Sequence, residues 1–284
     1  MRIQKSIGAR LRLSWSLATA LAAVALLAPL AVSAGERARG TGRTSRSGDD
    51  FEWRGHIAAG KAIEIKGVNG GIVAEPSSGS EVEVVAHKTA RKSDPDEVRI
   101  EVIEHEDGVT LCAVYPTPRG QKPNECRPGE GGRMNTHNND VQVEYTVRVP
   151  AGVRFIGRTV NGSIEAHKLR ADVEAYTVNG SVGISTRGIA RAATVNGSID
   201  AEMETGFQEP LEFETVNGGI TLVVPADSGA ELRATTVNGD IETDFPLTVR
   251  GRFSHRRISG TIGRGGPQLM ISTVNGDIRL RSAS

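Results

Sequence analysis

From Phe51 onward, apolar and polar residues alternate in short runs that stop and restart at one recurring sequence. Leu211, Phe213 and Thr215 fall on one side of such a run, as do Leu232, Ala234 and Thr236. After the interruption Ile220, Leu222 and Val224 share a side. A period of two on both flanks predicts strands with one buried face. The interruption reads Thr-Val-Asn-Gly, then a small or acidic residue, then Ile or Val. It spans Thr159–Ile164, Thr177–Val182, Thr194–Ile199, Thr215–Ile220, Thr236–Ile241 and Thr273–Ile278. Val68-Asn69-Gly70-Gly71-Ile72 is an outlying copy, and Ile258-Ser259-Gly260-Thr261-Ile262 is a degenerate one between the last two. From Asn161 the turn positions lie 18, 17, 21, 21, 21 and 16 residues apart, which marks a repeat architecture.

Each copy predicts strand, tight turn, strand. Asn-Gly is the strongest short turn signal, because Gly accepts positive φ and Asn tolerates it. The turn residues are therefore Asn69 and Gly70, Asn161 and Gly162, Asn179 and Gly180, Asn196 and Gly197, Asn217 and Gly218, Asn238 and Gly239, and Asn275 and Gly276. Two all-β architectures fit. In a repeat β-solenoid, Asn-Gly is a corner and rungs of about 20 residues stack, so Asn lies over Asn and Val over Val. In an antiparallel β-meander, each Asn-Gly is a hairpin turn. An exposed hairpin turn needs no fixed Val before it, so the repeated Val and Asn favour the solenoid. In that reading the Asn amides satisfy corner backbone groups that have left their ladder. Asn196 and Asn217 then have neighbours above and below, while Asn275 lies nearest the end.

The opening of the chain has another character. Arg2, Lys5, Arg10 and Arg12 precede an apolar run from Leu13 to Ala31, and Val32-Ser33-Ala34 is a small-residue cleavage site. Residues 1–34 read as a secretory signal peptide cleaved after Ala34, with an uncleaved anchor the weaker reading. The full chain balances 34 basic against 34 acidic residues. Without the four basic residues of the signal it holds 30 against 34, a net charge of −4. That gives no basic patch for nucleic acid and predicts no membrane span after cleavage. Residues 35–50, rich in Gly, Arg, Ser and Thr, read as a disordered linker. Residues 51–284 form the folded domain, with 51–150 an opening rung plus antiparallel hairpins and 151–284 the regular repeats. The only cysteines, Cys112 and Cys126, flank a Pro- and Gly-rich loop, and in an exported chain they predict a disulfide.

Little in the sequence points to chemistry. His56, His87, His105, His137, His167 and His255 lack metal-ligand spacing, and Glu104-His105-Glu106-Asp107 reads as a charged hairpin tip. Asp240 and Asp277 follow Asn-Gly as in calcium-binding solenoids, but that position is Ser or Gly in the other copies. Asn161, Asn179 and Asn196 sit in glycosylation sequons that are by-products of the turn motif. No nucleophile motif, phosphate loop or dinucleotide fingerprint occurs, so neither enzyme activity nor a cofactor is expected. By alternation alone, Glu174, Arg191, Glu212, Glu214 and Arg233 share one sheet face, as a polysaccharide-acting β-helix enzyme would need. The other function classes are an adhesive or structural envelope protein, which we favour, and an envelope-stress sensing or regulatory partner.

The Phe51–Gly55 opening, Ile63-Glu64-Ile65 before Gly67-Val68-Asn69-Gly70-Gly71-Ile72, Glu81-Val82-Glu83-Val84, and the serial Val-Asn-Gly copies together resemble the bacterial "putative adhesin" family. The resemblance covers nearly all of residues 51–284. It implies a β-solenoid-like fold and a cell-envelope location; the signal peptide makes the protein periplasmic or secreted, and another envelope protein or a surface glycan is the expected partner. It brings no catalytic residues. The Cys112–Cys126 loop departs from the family pattern by its length.

Overall fold

The computed structural model describes residues 43–47 (backbone only), 50–249 and 254–283. The expected signal peptide and its cleavage site lie outside the described residues. The fold opens with β1 (Arg43–Ser47), β2 (Asp50–Gly55), β3 (Ala62–Lys66), β4 (Ile72–Pro76), β5 (Val82–Thr89), β6 (Arg99–His105), β7 (Gly108–Val114) and β8 (Gln142–Val149). Shorter strands follow: β9 (Arg154–Arg158), β10 (Ile164–Leu169), β11 (Val173–Tyr176), β12 (Val182–Thr186), β13 (Ala190–Ala193), β14 (Ile199–Met203), β15 (Leu211–Glu214) and β16 (Ile220–Pro225). The chain closes with β17 (Ala230–Thr235), β18 (Ile241–Thr243), β19 (Leu247–Val249), β20 (Arg257–Ile262), β21 (Gln268–Ser272) and β22 (Ile278–Ala283).

These strands make two sheets of eleven. Sheet I runs β1-β2-β5-β8-β4-β10-β12-β14-β16-β22-β18, and sheet II runs β19-β20-β17-β21-β15-β13-β11-β9-β3-β7-β6. Each rung gives sheet II the strand before its Asn-Gly corner and sheet I the strand after it. Neighbouring rungs pair in parallel, with Ile164 beside Ile72 and Val182, and Ile199 beside Val182 and Ile220. Parallel pairing of identical positions is the solenoid, and the meander alternative fails. Alternate residues of both sheets are buried and join in one apolar cluster. Its layers are thin: the column through Ala175, Ala192, Phe213, Ile271 and Ala234 sets three alanines beside one Phe and one Ile.

The antiparallel part lies at the N-terminal end. β5 pairs with β8 and β2, and β6 with β7, while β7 and β8 also pair in parallel with β3 and β4 as one more rung. These hairpins cover edges that a bare stack would expose. Part of the stretch expected to be linker, Arg43–Ser47, is a strand antiparallel to β2, which covers that strand's free edge.

The other end departs from sequence order. β21 and β22, the last strands in the chain, lie inside the stack, between β15 and β17 and between β16 and β18. The rung nearest the C-terminus is thus internal, and the one built on Asn238 is outermost. Nor is Ile258–Ile262 a degenerate corner. It belongs to β20, which runs antiparallel to β17 with Ile258 beside Ala234 and Ile262 beside Ala230. Lacking Asn, it covers the edge of β17 instead of turning.

Candidate functional site: the corner ladder and the charged face beside it

The corners form a continuous hydrogen-bonded ladder. Asn161 Nδ2 donates to Asn69 Oδ1 (2.9 Å), Asn179 to Asn161 (2.8 Å), Asn196 to Asn179 (2.8 Å) and Asn217 to Asn196 (2.7 Å). Asn275 then donates to Asn217 and Asn238 to Asn275, both at 2.8 Å. At the N-terminal end Asn69 Nδ2 reaches the Val141 carbonyl at 3.4 Å. Except for half-buried Asn69, these side chains are exposed. They bind one another, and the expected service to buried corner backbone falls to a different residue.

That residue is Thr. Each corner Thr is buried, and its hydroxyl donates to the carbonyl of the turn Gly one rung away. Thr194 reaches Gly180, and Thr215 reaches Gly197, at 2.8 Å. Thr177 reaches Gly162, Thr236 reaches Gly276, and Thr273 reaches Gly218, at 2.9 Å. Thr159 reaches Gly70 at 3.1 Å. The glycines are needed less for φ than for closeness. Gly162, Gly180 and Gly197 are not among the glycines with positive φ, yet a Cβ built on Gly180 would overlap the Gly162 carbonyl and one on Gly197 the Gly180 carbonyl. At four corners Val stands outermost: Val160, Val178 and Val274 are each 39% exposed and Val237 is 52%. Val195 and Val216 are half-buried and Val68 is buried, so the ridge along the stack is Asn throughout, with Val standing out towards its two ends.

Beside the ridge, the outer face of sheet II gathers the charged residues picked out by alternation. Arg154 Nη2 donates to Glu174 Oε1 at 2.9 Å, and Tyr176 donates to Glu174 Oε2 at 3.1 Å. The Arg158 guanidinium lies 4.4 Å over the Tyr176 ring. Burial first, then the Glu174 charge, pushes the Tyr176 hydroxyl up to about 12. Arg191 turns to Glu209 at 2.6 Å, not to Glu212. Arg233, which the period alone would set beside Glu212, is separated from it by the inserted β21, so Met270 stands between them. Glu212 Oε1 is therefore buried with no partner among the described residues. Burial, then the charge of Glu212, raises the Glu214 carboxyl to about 7, against the opposing hydrogen bond from Ser272 at 3.2 Å.

Next along this face the cysteine loop is fastened down. Cys112 and Cys126 are bridged, with Cα atoms 5.8 Å apart. Lys66 Nζ donates to the carbonyls of Arg127 (2.9 Å), Gly129 (2.7 Å) and Gly131 (2.7 Å). Burial lowers its pKa, with Glu64 opposing. Glu64, 3% exposed, accepts from Arg158 Nε (3.0 Å), Thr110 Oγ1 (2.8 Å) and the Gly129 N–H (2.9 Å). No local pattern around Glu64 and Lys66 reveals these contacts, because their partners lie more than forty residues away. On the opposite sheet, Glu165, Asp200 and Glu202 line a groove of about 320 Å³ floored by Gly183. Among the described residues no group of three or more His, Cys, Asp or Glu is placed to hold a metal ion, and no helix is long and apolar enough to cross a membrane.

Comparisons with known proteins bear on the repeats. The structure is similar to that of a putative cell adhesion protein from Clostridium sporogenes, at 11% identity and TM-score 0.43 over 82% of this chain and 100% of that one. It is similar to a putative adhesin from Bacteroides fragilis, at 12% identity and TM-score 0.31 over 84% and 98%. A putative adhesin from Parabacteroides merdae follows, at 12% identity and TM-score 0.21 over 82% and 96%. No curated protein matches. Residues 158–281, from the end of β9 into β22, match the family described as Toastrack DUF4097.

Proposed function

We propose that this chain is an exported, non-catalytic protein of the cell envelope that binds a surface glycan along the corner ridge, in the manner of an adhesin. The observation that carries the reading is the exposure of the corner valines. Thr, Asn and Gly each have an evident task in the stack. Val does not, because its backbone contacts would serve any residue, and at four of the seven corners, Val160, Val178, Val237 and Val274, its side chain faces solvent. Apolar groups and carboxamides repeating at about the strand spacing, 4.8 Å, offer a repeating polymer the same contact many times. The Cys112–Cys126 bridge supports an oxidising compartment, as does the signal peptide read from the sequence. Sequencing of the exported protein is expected to begin at Gly35; a retained Met1 in a membrane fraction would refute export by cleavage.

Co-sedimentation of the purified protein with cell-wall polysaccharide and with whole envelope tests the binding. Val178→Lys with Val274→Lys is expected to abolish co-sedimentation and leave the melting temperature unchanged. Full retention by the double variant would overturn the ridge reading, and release by protease treatment of the envelope would make the partner a protein. One observation favours a second reading, a polysaccharide-acting enzyme: the Glu212–Glu214 pair holds a carboxyl near 7, where an acid–base group works. Polysaccharide turnover that disappears in Glu212→Gln and Glu214→Gln would establish it.

A further inference from the structure

The outermost corner has a chemical property that the other six lack. In an Asn-Gly pair the Gly backbone nitrogen lies close to the Asn side-chain carbonyl carbon, and no Cβ shields the approach. Hydrogen bonding of that N–H holds the nitrogen in place and away from the reaction. Six of the seven glycines are so held, each donating to an Asn carbonyl on the neighbouring rung. Gly70 donates to Asn161 at 2.8 Å, and Gly162, Gly180, Gly197, Gly218 and Gly276 donate to Asn179, Asn196, Asn217, Asn275 and Asn238 at 2.9 Å. Gly239 has no rung beyond it, and its N–H donates to no described residue. The Asn238 side chain is likewise held at one end only. Its Nδ2 donates to Asn275, while its Oδ1 accepts from no described residue.

We propose that Asn238 is a site of self-catalysed deamidation, selected from seven identical dipeptides by its place at the end of the ladder. The Gly239 nitrogen gives up its proton to solvent base and forms a bond to Asn238 Cγ. The Cγ–Nδ2 bond breaks, and the amide nitrogen leaves as ammonia after taking a proton from solvent. The five-membered succinimide that remains is opened by one water at either carbonyl, giving aspartate or isoaspartate at position 238. No electrons are transferred and no cofactor is needed. The product carries a carboxylate where Nδ2 donated to Asn275, so two acceptors face each other and the terminal rung loses its place in the Asn ladder. An isoaspartate also adds a carbon to the main chain and displaces β18 from its register with β22.

The chain contains its own control. Thr236–Ile241 and Thr273–Ile278 are the same six residues, Thr-Val-Asn-Gly-Asp-Ile, and differ only in that one is outermost and the other internal. The full protein is incubated in mildly alkaline buffer, native and in denaturant, and the deamidated fraction at each Asn-Gly is read over time by peptide mapping with isoaspartate detection. In the native protein position 238 is expected to convert about tenfold faster than position 275, the effect of one hydrogen bond that must open first. In denaturant the two are expected to convert at equal rates. Equal rates in the native protein, or faster conversion at any of the other six sites, would overturn the proposal. So would a preference for 238 that survives denaturation, because the selectivity would then not come from the stack.

Discussion

Replacing Thr215 by Val tests which residue satisfies the corners. The two side chains have nearly the same shape, and Thr215 is 1% exposed, so the change exchanges a hydroxyl for a methyl without opening a cavity. The hydroxyl donates to the Gly197 carbonyl at 2.8 Å, and no backbone N–H among the described residues donates to that oxygen. The substitution removes one hydrogen bond and leaves a carbonyl without a partner, a cost of about 1–3 kcal/mol. The added methyl returns about 0.8 kcal/mol of apolar burial, so the net loss is about 0.2–2.2 kcal/mol. For a domain of this size that lowers the melting temperature by up to about 9 °C. Thr215→Ser is the companion variant. It keeps the hydroxyl and gives up one methyl, about 1 kcal/mol. Denaturant melts with the disulfide intact compare the two. A Val variant as stable as the wild type, or more stable, would refute the reasoning and leave packing as the only role of the corner Thr.

Three further outcomes follow from the same structure. Asn217→Ala and Asn275→Ala each remove two ladder hydrogen bonds and Asn238→Ala removes one, so in denaturant melts the first two should lose about twice as much, on the order of 1 kcal/mol; a terminal-like loss at Asn275 would contradict the strand order. Because the folded Glu214 pKa of about 7 is raised above its unfolded value, its stabilising effect is complete below about pH 4.5 and is lost as pH rises through 7; melting temperatures should fall across that window and flatten in Glu214→Gln, and an unchanged slope would refute the assignment. Intact mass should change on alkylation only after reduction, and Cys112→Ser with Cys126→Ser should cost about 3 kcal/mol, the loop-closure value for some 15 residues; free thiols in the exported protein would refute the bridge.

The period, the strand faces and the corner positions were legible because each rests on local chemistry that recurs in register: β-branched flanks, a turn dipeptide, and alternation. What could not be read has a common cause. Rungs that carry the same Thr, Asn and Gly fit one another in any order, so nothing in Thr273–Ile278 says that it lies between Thr215–Ile220 and Thr236–Ile241 and not beyond the latter. The unpartnered oxygen of Glu212 follows from that order, because Met270 arrives from the chain's end to stand where Arg233 would have been. Division of labour within a corner was hidden too. Asn has more donors and acceptors, yet Thr points inward, and alternation had already placed Thr215 on the same face as Leu211 and Phe213. The cage around Lys66 depends on where a long loop comes to rest, which no short-range pattern encodes.

A coil wound strictly in order can be completed as it leaves the ribosome, each turn settling on the one before. Here the second-to-last turn in the chain, β17 and β18, is made before the strands it rests on. It must either wait, unsupported, or settle first on β15 and β16 and then yield that place to β21 and β22. Final assembly is therefore an act of insertion and not of accretion, and it cannot begin until the last twenty or so residues are free. Shortening the chain at its end would remove a course from the middle of the wall.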